Sequence, residues 1–269
     1  MSFDVIMLTK NSISTIEESI SSVYREVPVN RLIIVDGGST DGTLELVKGF
    51  PRVEIIHDIG TRATARQKGI MAVKTEWHIH VDSDVTLAKG WYDRISPYLK
   101  DDKIGAVWGV TLPVGKLYND ILRSLARLRR TTVLQIQLSQ SRYLLHDTII
   151  RTSAVSDIKI PPDYHVQEDQ FIGNHIVSKG YAWMKSKEAS CFHKLSGRSE
   201  SGFRKEAILS GYMYHKYHIR SFSSILRNSI SAIPKSAWIF LNTLNIRAAE
   251  HHLAMQTLPL KGWLMYAED

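Results

Sequence analysis

The sequence holds a single cysteine, Cys191, in 269 residues. One thiol cannot close an internal disulfide or supply a cysteine-based zinc site, which excludes a disulfide-stapled secreted scaffold and predicts a reducing compartment. Glycine (16) and proline (8) are too sparse for a fibrous or low-complexity chain. No segment reaches the roughly 18 consecutive apolar residues that a membrane span needs. The nearest, Ile230 to Leu244, is interrupted by Pro234, Lys235 and Ser236 and reads as surface or interfacial. The first ten residues, with Asp4 among them, lack a signal-peptide pattern. These absences predict a cytoplasmic protein with at most a peripheral membrane contact. What is present is a globular composition, 43% hydrophobic and 23% charged, which excludes wholesale disorder.

Charge is unevenly spread. The chain carries +7 formally, and eight cations fall between Lys194 and Lys235 (Lys194, Arg198, Arg204, Lys205, Lys216, Arg220, Arg227, Lys235) against only Glu200 and Glu206. A basic C-terminal region on a near-neutral body predicts an anionic partner: phosphates, nucleic acid or a membrane surface.

The first hundred residues alternate strand and helix patterns. Apolar runs at Phe3 to Leu8, Arg31 to Val35, Val53 to His57 and Trp77 to Val81 read as buried strands. Ile13, Ile16, Ile20 and Val23 lie at helical spacing, and helices are also expected at Thr43 to Lys48 and Ala63 to Val73. That order predicts βαβ units, an α/β fold and a mostly parallel central sheet flanked by helices. Further on, strands are expected at Ala106 to Leu112, Leu144 to Ile150 and Ala182 to Phe192. Helices are expected through Tyr118 to Leu128 and at Gln167 to Ser178, the latter stopped by Gly180. Beyond Gly202 the pattern is helical and rich in aromatics. The expected division is a catalytic domain over 1–215, with halves 1–100 and 101–215, and a helical extension over 216–269.

Ligands of open α/β sheets bind at the carboxyl ends of the strands. Three polar clusters stand there: Thr9 to Asn11, Asp36 to Thr43, and Asp82-Ser83-Asp84. Two carboxylates on a turn leaving a buried strand suit a hard divalent cation shared with a diphosphate, Mn²⁺ or Mg²⁺; the plainer reading is a polar turn. The glycine-rich DGGSTDGT, with Gly38 inside it, either caps a helix or grips a nucleotide. It lacks the Gly-Lys-Ser/Thr ending of a P-loop and does not follow the first strand as a dinucleotide fingerprint does. Arg62 and Arg66, four apart, suit a diphosphate clamp or a solvated helix face. His78 and His80 share a strand face and are expected to pack within the sheet, and Cys191 to fill core.

FDVIMLTKN, RLIIVDGGSTDGT, RATARQKGIMAV and WHIHVDSDV, in that order over about residues 3 to 100, resemble the nucleotide-sugar-binding half of family 2 glycosyltransferases of the GT-A fold. Leu-Thr-Lys-Asn departs from the family's frequent Pro-Thr-Tyr-Asn. The resemblance implies that Thr9, Asn11 and Asp36 hold the base, that Asp82, with Ser83, binds ribose, and that Asp82 and Asp84 bind metal. HVQEDQFIGNHIVSKGYAW resembles the family's acceptor motif, implying Asp169 as the general base of an inverting enzyme, with Glu168 beside it. His193, after the following strand, is implied as a further metal ligand. The basic stretch KLSGRSESGFRKEA reads as a flap over the diphosphate or as a platform for an anionic or lipid-linked acceptor. The activity expected is a metal-dependent hexosyltransferase using a nucleotide-diphosphate sugar. A polyprenyl-phosphate sugar synthase, a retaining transferase on the same scaffold and a nucleic-acid-binding protein are the rival readings. Nucleic acid is the least favoured partner, because the acidic Asp82 and Asp84 would repel its backbone.

Overall fold

The computed structural model describes residues 1–139, 142–194 and 199–265. The chain forms two compact units, Met1–Leu112 with Ser141–Gly197, and Pro113–Gln140 with Arg198–Asp269. The first is built on an eight-stranded sheet of order β3-β2-β1-β4-β7-β6-β8-β5.

The N-terminal half of that sheet follows the βαβ pattern. Strands β1 (Phe3–Thr9), β2 (Val29–Asp36), β3 (Val53–His57) and β4 (Trp77–Val81) run parallel. They are joined by helices α1 (Ile16–Glu26), α2 (Thr43–Val47) and α3 (Arg62–Ala72). Parallel alignment brings the carboxyl ends of β1, β2 and β4 to one edge, with Thr9 paired to Asp36 in register. The rest of the sheet turns antiparallel. A short β5 (Val85–Leu87) and α4 (Trp91–Ile95) lead to β6 (Ile104–Val114), and β7 (Asp147–Arg151) pairs antiparallel to both β4 and β6. Helix α7 (Glu168–Ser178) precedes β8 (Ala182–Lys194), which pairs antiparallel to β5. The reversal decides where the chemistry gathers. It sets Asp147 opposite Val81, and His193 opposite Val85.

The core of this unit is a continuous cluster that includes Trp77, Trp91, Ile79 and Cys191, all 1% exposed or less. Full burial of such side chains is worth about 1.5–3 kcal/mol each and supplies the rigidity on which the strand ends are mounted. Gly180, at φ +88°, lies just past the end of α7 in the left-handed conformation expected of a C-terminal stop.

The second unit is helical: α5 (Lys116–Leu128), α6 (Val133–Leu138), α8 (Glu200–Lys216), α9 (Phe222–Thr243) and α10 (Ile246–Met265). One buried apolar cluster in it joins Ile121, Ile239, Ala248 and Ala249. Helices α8 and α10 meet backbone to backbone. A Cβ on Gly211 would stand 2.0 Å from the Pro259 carbonyl oxygen, and one on Gly262 would stand 1.9 Å from that of Ile208. This packing ties α8 to the C-terminal helices, so the division differs from the expected boundary at 215/216. Pro234 and Pro259 lie inside continuous helices rather than ending them. A helix tolerates the lost N–H where packing holds the flanking turns. Among the described residues no helix is long and apolar enough to cross a membrane.

Candidate active site

Every residue that the sequence pattern singles out for chemistry lies in the sheet unit. Asp36 is 1% exposed and bends its own loop: Oδ2 accepts the Gly38 N–H at 2.9 Å, and Oδ1 accepts the Ser39 hydroxyl at 2.6 Å. Asn11 pins this loop to the end of β1. Its N–H donates to Ser39 Oγ (2.9 Å), and its Oδ1 accepts from the Thr40 N–H (2.8 Å). Asn11 itself sits at φ +51°, a conformation asparagine tolerates better than most residues. Thr9 is 5% exposed, and its hydroxyl has no hydrogen-bond partner among the described residues. A buried unpartnered hydroxyl beside a preformed loop is suited to a ligand's polar edge. Ser83 Oγ lies 3.0 Å from Ser12 Oγ, which ties the Asp82–Asp84 turn to the same loop cluster.

Arg66 is buried, so it does not form a solvated helix face. It is 4% exposed, NH2 donates to Asp82 Oδ1 at 2.7 Å, and NH1 lies 3.1 Å from His80 Nδ1. Its Nε is 3.9 Å from Glu168 Oε1. Arg66 thus lies between two carboxylates, those of Asp82 and Glu168, and Arg62 stands in the first turn of the same helix. Burial would raise the Asp82 carboxyl, but the Arg66 guanidinium holds it well below the usual carboxylate range. His80 is fully buried, and burial and Arg66 keep its imidazole neutral, as an acceptor for Arg66 must be.

Asp84 and His193 face each other at the β5–β8 pairing. His193 Nε2 is 3.2 Å from Asp84 Oδ1, yet this nitrogen has no hydrogen-bond partner among the described residues. Two lone-pair donors set side by side without a hydrogen bond fit a divalent cation. The His146 ring stacks on His193 at 5.4 Å between centroids.

Glu168 and Asp169 open α7, whose flanking Gln167 is left-handed at φ +71°. Glu168 is 6% exposed; burial, then the Asp169 charge, raises its carboxyl, while Arg66 and Arg62 oppose. Asp169 Oδ2 accepts from Arg142, at 3.0 Å from Nε and 2.8 Å from NH2. Arg66 therefore joins the metal-type turn to the acceptor-type helix start within one unit.

Arg142, His146 and Asp147 lie outside the motifs named from the sequence. The available signal is a charged pair inside an apolar run, LLHDTII. Asp147 is fully buried, accepts from Trp91 Nε1 (3.2 Å) and the Gly109 N–H (3.1 Å), and is pushed up to about 7 by burial. With His146 and Cys191 it meets metal-ligand spacing, all ligand atoms within 4.8 Å. Burial raises both acids of that trio toward their neutral forms, so it reads as a support behind Asp82 and His193. Residues 195–198 of the basic stretch, Arg198 among them, lie outside the described residues. A cavity of about 810 Å³ lies in the helical unit, with Lys116, Arg204, Arg247 and His251 in its wall; none of the sequence-predicted site residues lines it.

The fold has solved counterparts. The mannosyltransferase PcManGT from Pyrobaculum calidifontis, solved with GDP-Man and Mn²⁺, matches with a TM-score of 0.66 at 16% identity, over 98% of this chain and 86% of that one. S. aureus TarS matches with a TM-score of 0.56 at 19% identity, over 78% of this chain and 40% of that one. This chain thus spans well under two thirds of TarS. Glucosyl-3-phosphoglycerate synthase from Mycobacterium tuberculosis, solved with Mn²⁺ and UDP-glucose, matches with a TM-score of 0.52 at 18% identity, over 78% and 77%. These likenesses establish the GT-A fold. No curated protein matches the sequence. The model of the family described as "Glycosyl transferase family 2" matches residues 4–157, more than half of the chain and the stretch that holds Thr9, Asp36, Arg66, Asp82 and Asp84. On that match the chain belongs to glycosyl transferase family 2, the glycosyltransferases whose fold it shares.

Proposed function

We propose that the sheet unit transfers a sugar from a nucleotide-diphosphate sugar to an acceptor hydroxyl with inversion, using a divalent cation. The observation that carries this reading is the unbonded pair of His193 Nε2 and Asp84 Oδ1, in the same unit as an Arg66-linked Asp82 and Glu168. Asp84 and His193 would hold the cation, Mn²⁺ or Mg²⁺. When bound, it neutralises charge on the leaving diphosphate.

The chain's own residues do the rest. Thr9, Asn11 and the Asp36–Thr43 loop receive the base, with the Thr9 hydroxyl as a ready donor or acceptor. Asp82, kept ionised and oriented by Arg66, accepts from the ribose. Arg62, in the first turn of α3, is assigned to the diphosphate. The acceptor oxygen attacks the anomeric carbon as the bond to the phosphate oxygen breaks, through an oxocarbenium-like state. Asp169 takes the acceptor's proton; Arg142 orients its carboxylate, and the Glu168 carboxyl lies buried next to it. The solved counterparts bound to GDP-Man and UDP-glucose support a nucleotide sugar as donor.

Thermal unfolding against nucleoside diphosphates and nucleotide sugars, with and without Mn²⁺, tests the donor. Ligand at 100 times its dissociation constant adds about 2.7 kcal/mol and raises the melting temperature by several degrees. Asp84→Ala should remove the Mn²⁺-dependent part of that shift and leave the unliganded melting temperature in place. An undiminished shift overturns the metal assignment. Asp169→Asn should keep donor binding and lower transfer to a hydroxyl about 10²–10⁴-fold. Full transfer by that variant would point to a phosphate acceptor, which needs no base, and a loss centred on Glu168→Gln would move the base one residue.

A further inference from the structure

Helix α9 is built inside out. Its buried side carries Ile225, Ser229, Ala232, Ser236 and Ile239. Ser229 Oγ donates to the Gln256 carbonyl at 3.0 Å, and Ser236 Oγ is 2.8 Å from His252 Nδ1. The outward side carries Phe222, Leu226, Ile230, Ile233, Phe240 and Leu241, between 37% and 71% exposed, followed by Leu244 at 80%. At about 100° per residue these positions fall within one stripe over roughly a third of the helix circumference. Over 22 residues the stripe is about 33 Å long. An ordinary surface helix puts charge there; a continuous apolar stripe marks a surface that meets something apolar.

The charge of the surrounding sequence points to the partner. From Ala207 to Ala249 the sequence has no Asp or Glu but five cations, Lys216, Arg220, Arg227, Lys235 and Arg247. Arg227 is exposed at the border of the stripe, and Arg247 is exposed next to Ile246, which is itself 55% exposed. Lys216 lies 5.5 Å from the Tyr212 ring centroid, and Arg220 lies 5.0 Å from that of Tyr214. Apolar side chains flanked by cations and aromatics suit the boundary between lipid headgroups and acyl chains. The helix does not qualify as a span, because Pro234 and Lys235 interrupt its middle and no described helix is apolar enough. A second copy docked on the same stripe would set like charge against like charge.

We infer that the exposed apolar stripe of α9 lies on an anionic lipid bilayer, with Arg227 and Arg247 meeting the headgroups. This inference goes beyond the transfer reading and does not depend on it. The full chain, without any sugar donor, is floated with vesicles of phosphatidylcholine alone and of phosphatidylcholine mixed with phosphatidylglycerol. Flotation is expected with the mixed vesicles, weaker with phosphatidylcholine alone and weakened by salt. The double variant Ile230→Ser, Ile233→Ser should fold as before, since both side chains are more than 60% exposed, and bind the mixed vesicles at least about tenfold more weakly. Arg227→Gln should weaken binding about fivefold. Absence of flotation with either vesicle overturns the inference, as does flotation of the double variant equal to that of the parent. A dimer seen by light scattering, lost in the double variant and accompanied by no vesicle binding, would give the stripe to a second copy instead. A failure here leaves nucleotide binding untouched, and a failure of nucleotide binding leaves this result standing.

Discussion

In the sheet unit the buried polar groups that organise the strand ends are ionic: Arg66 between Asp82 and Glu168, and Asp36 inside its own loop. In the helical unit they include hydroxyls and a neutral imidazole, Ser229, Ser236 and His252, beside a His251–Glu200 pair, while several large aliphatic side chains of α9 face outward. Buried charge is costly, and a fold retains it where the field it creates is used. Buried hydroxyls satisfied by neighbouring helices cost little and leave the apolar side chains available elsewhere. The contrast separates a unit organised for chemistry at fixed points from one organised around close helix packing and an outward surface.

The contrast breaks first at Arg66. Arg66→Met should cost about 3–5 kcal/mol in urea unfolding, because it leaves Asp82 and Glu168 close together without their shared cation. Arg66→Lys should recover only part of this, since a point charge cannot serve His80, Asp82 and Glu168 together. A loss below about 1 kcal/mol would mean that water already screens the cluster.

The matching test in the helical unit removes close approach rather than charge. Gly211→Ala drives a Cβ to 2.0 Å from the Pro259 carbonyl oxygen, which neither backbone can accept in place. The expected cost is about 1–3 kcal/mol, with faster amide exchange in α8 and α10 and none gained in β1, β2 and β4. Faster exchange throughout both units would show that they unfold as one.

How much of this was legible follows the same division. The parallel half of the sheet was readable because β1, β2 and β4 are buried, largely apolar runs, the first two ending in Thr9 and Asp36 and the third followed directly by Asp82, while β3 is only half-buried. Its polar clusters then had to fall on one edge. The pairing of Asp84 with His193 was not readable from periodicity, because it depends on antiparallel β8 meeting a three-residue β5, too short to leave a pattern. The family motif supplied His193 instead. Arg66 was visible only as one of two arginines on a helix, and nothing in the spacing reveals that it turns inward. His146 and Asp147 were hidden in a strand pattern, although a charged pair inside an apolar run was the available clue. In the helical unit the basic and aromatic character was plain, but the continuity of α9 through Pro234 was not. Which side of α9 is buried is decided by packing against α10, and here that packing selects serines.

A further difference between the units is graded by pH. Burial lowers His252 to about 4, with Lys235 and His251 adding to the shift, and burial lowers His78 to about 3 against an ordinary 6.5. In both cases the folded state prefers neutral imidazole, so the unfolded chain takes up the proton first as pH falls. The stability each contributes is therefore present above about pH 6.5 and is lost on acidification, by up to about 1.4 kcal/mol per pH unit for each group. The loss through His252 should be complete near pH 4, whereas the loss through His78 continues to about 3. Amide exchange measured by region between pH 7 and 3 should then show the helical unit's response levelling off while that of β4 goes on. His252→Asn, which keeps a hydrogen-bonding group opposite Ser236, should flatten the response of α9 and α10 and leave that of β4 as it was. Equal responses of the two units at every pH would show that the sheet and the helices share one cooperative transition, so that the difference in their buried polar groups concerns function alone.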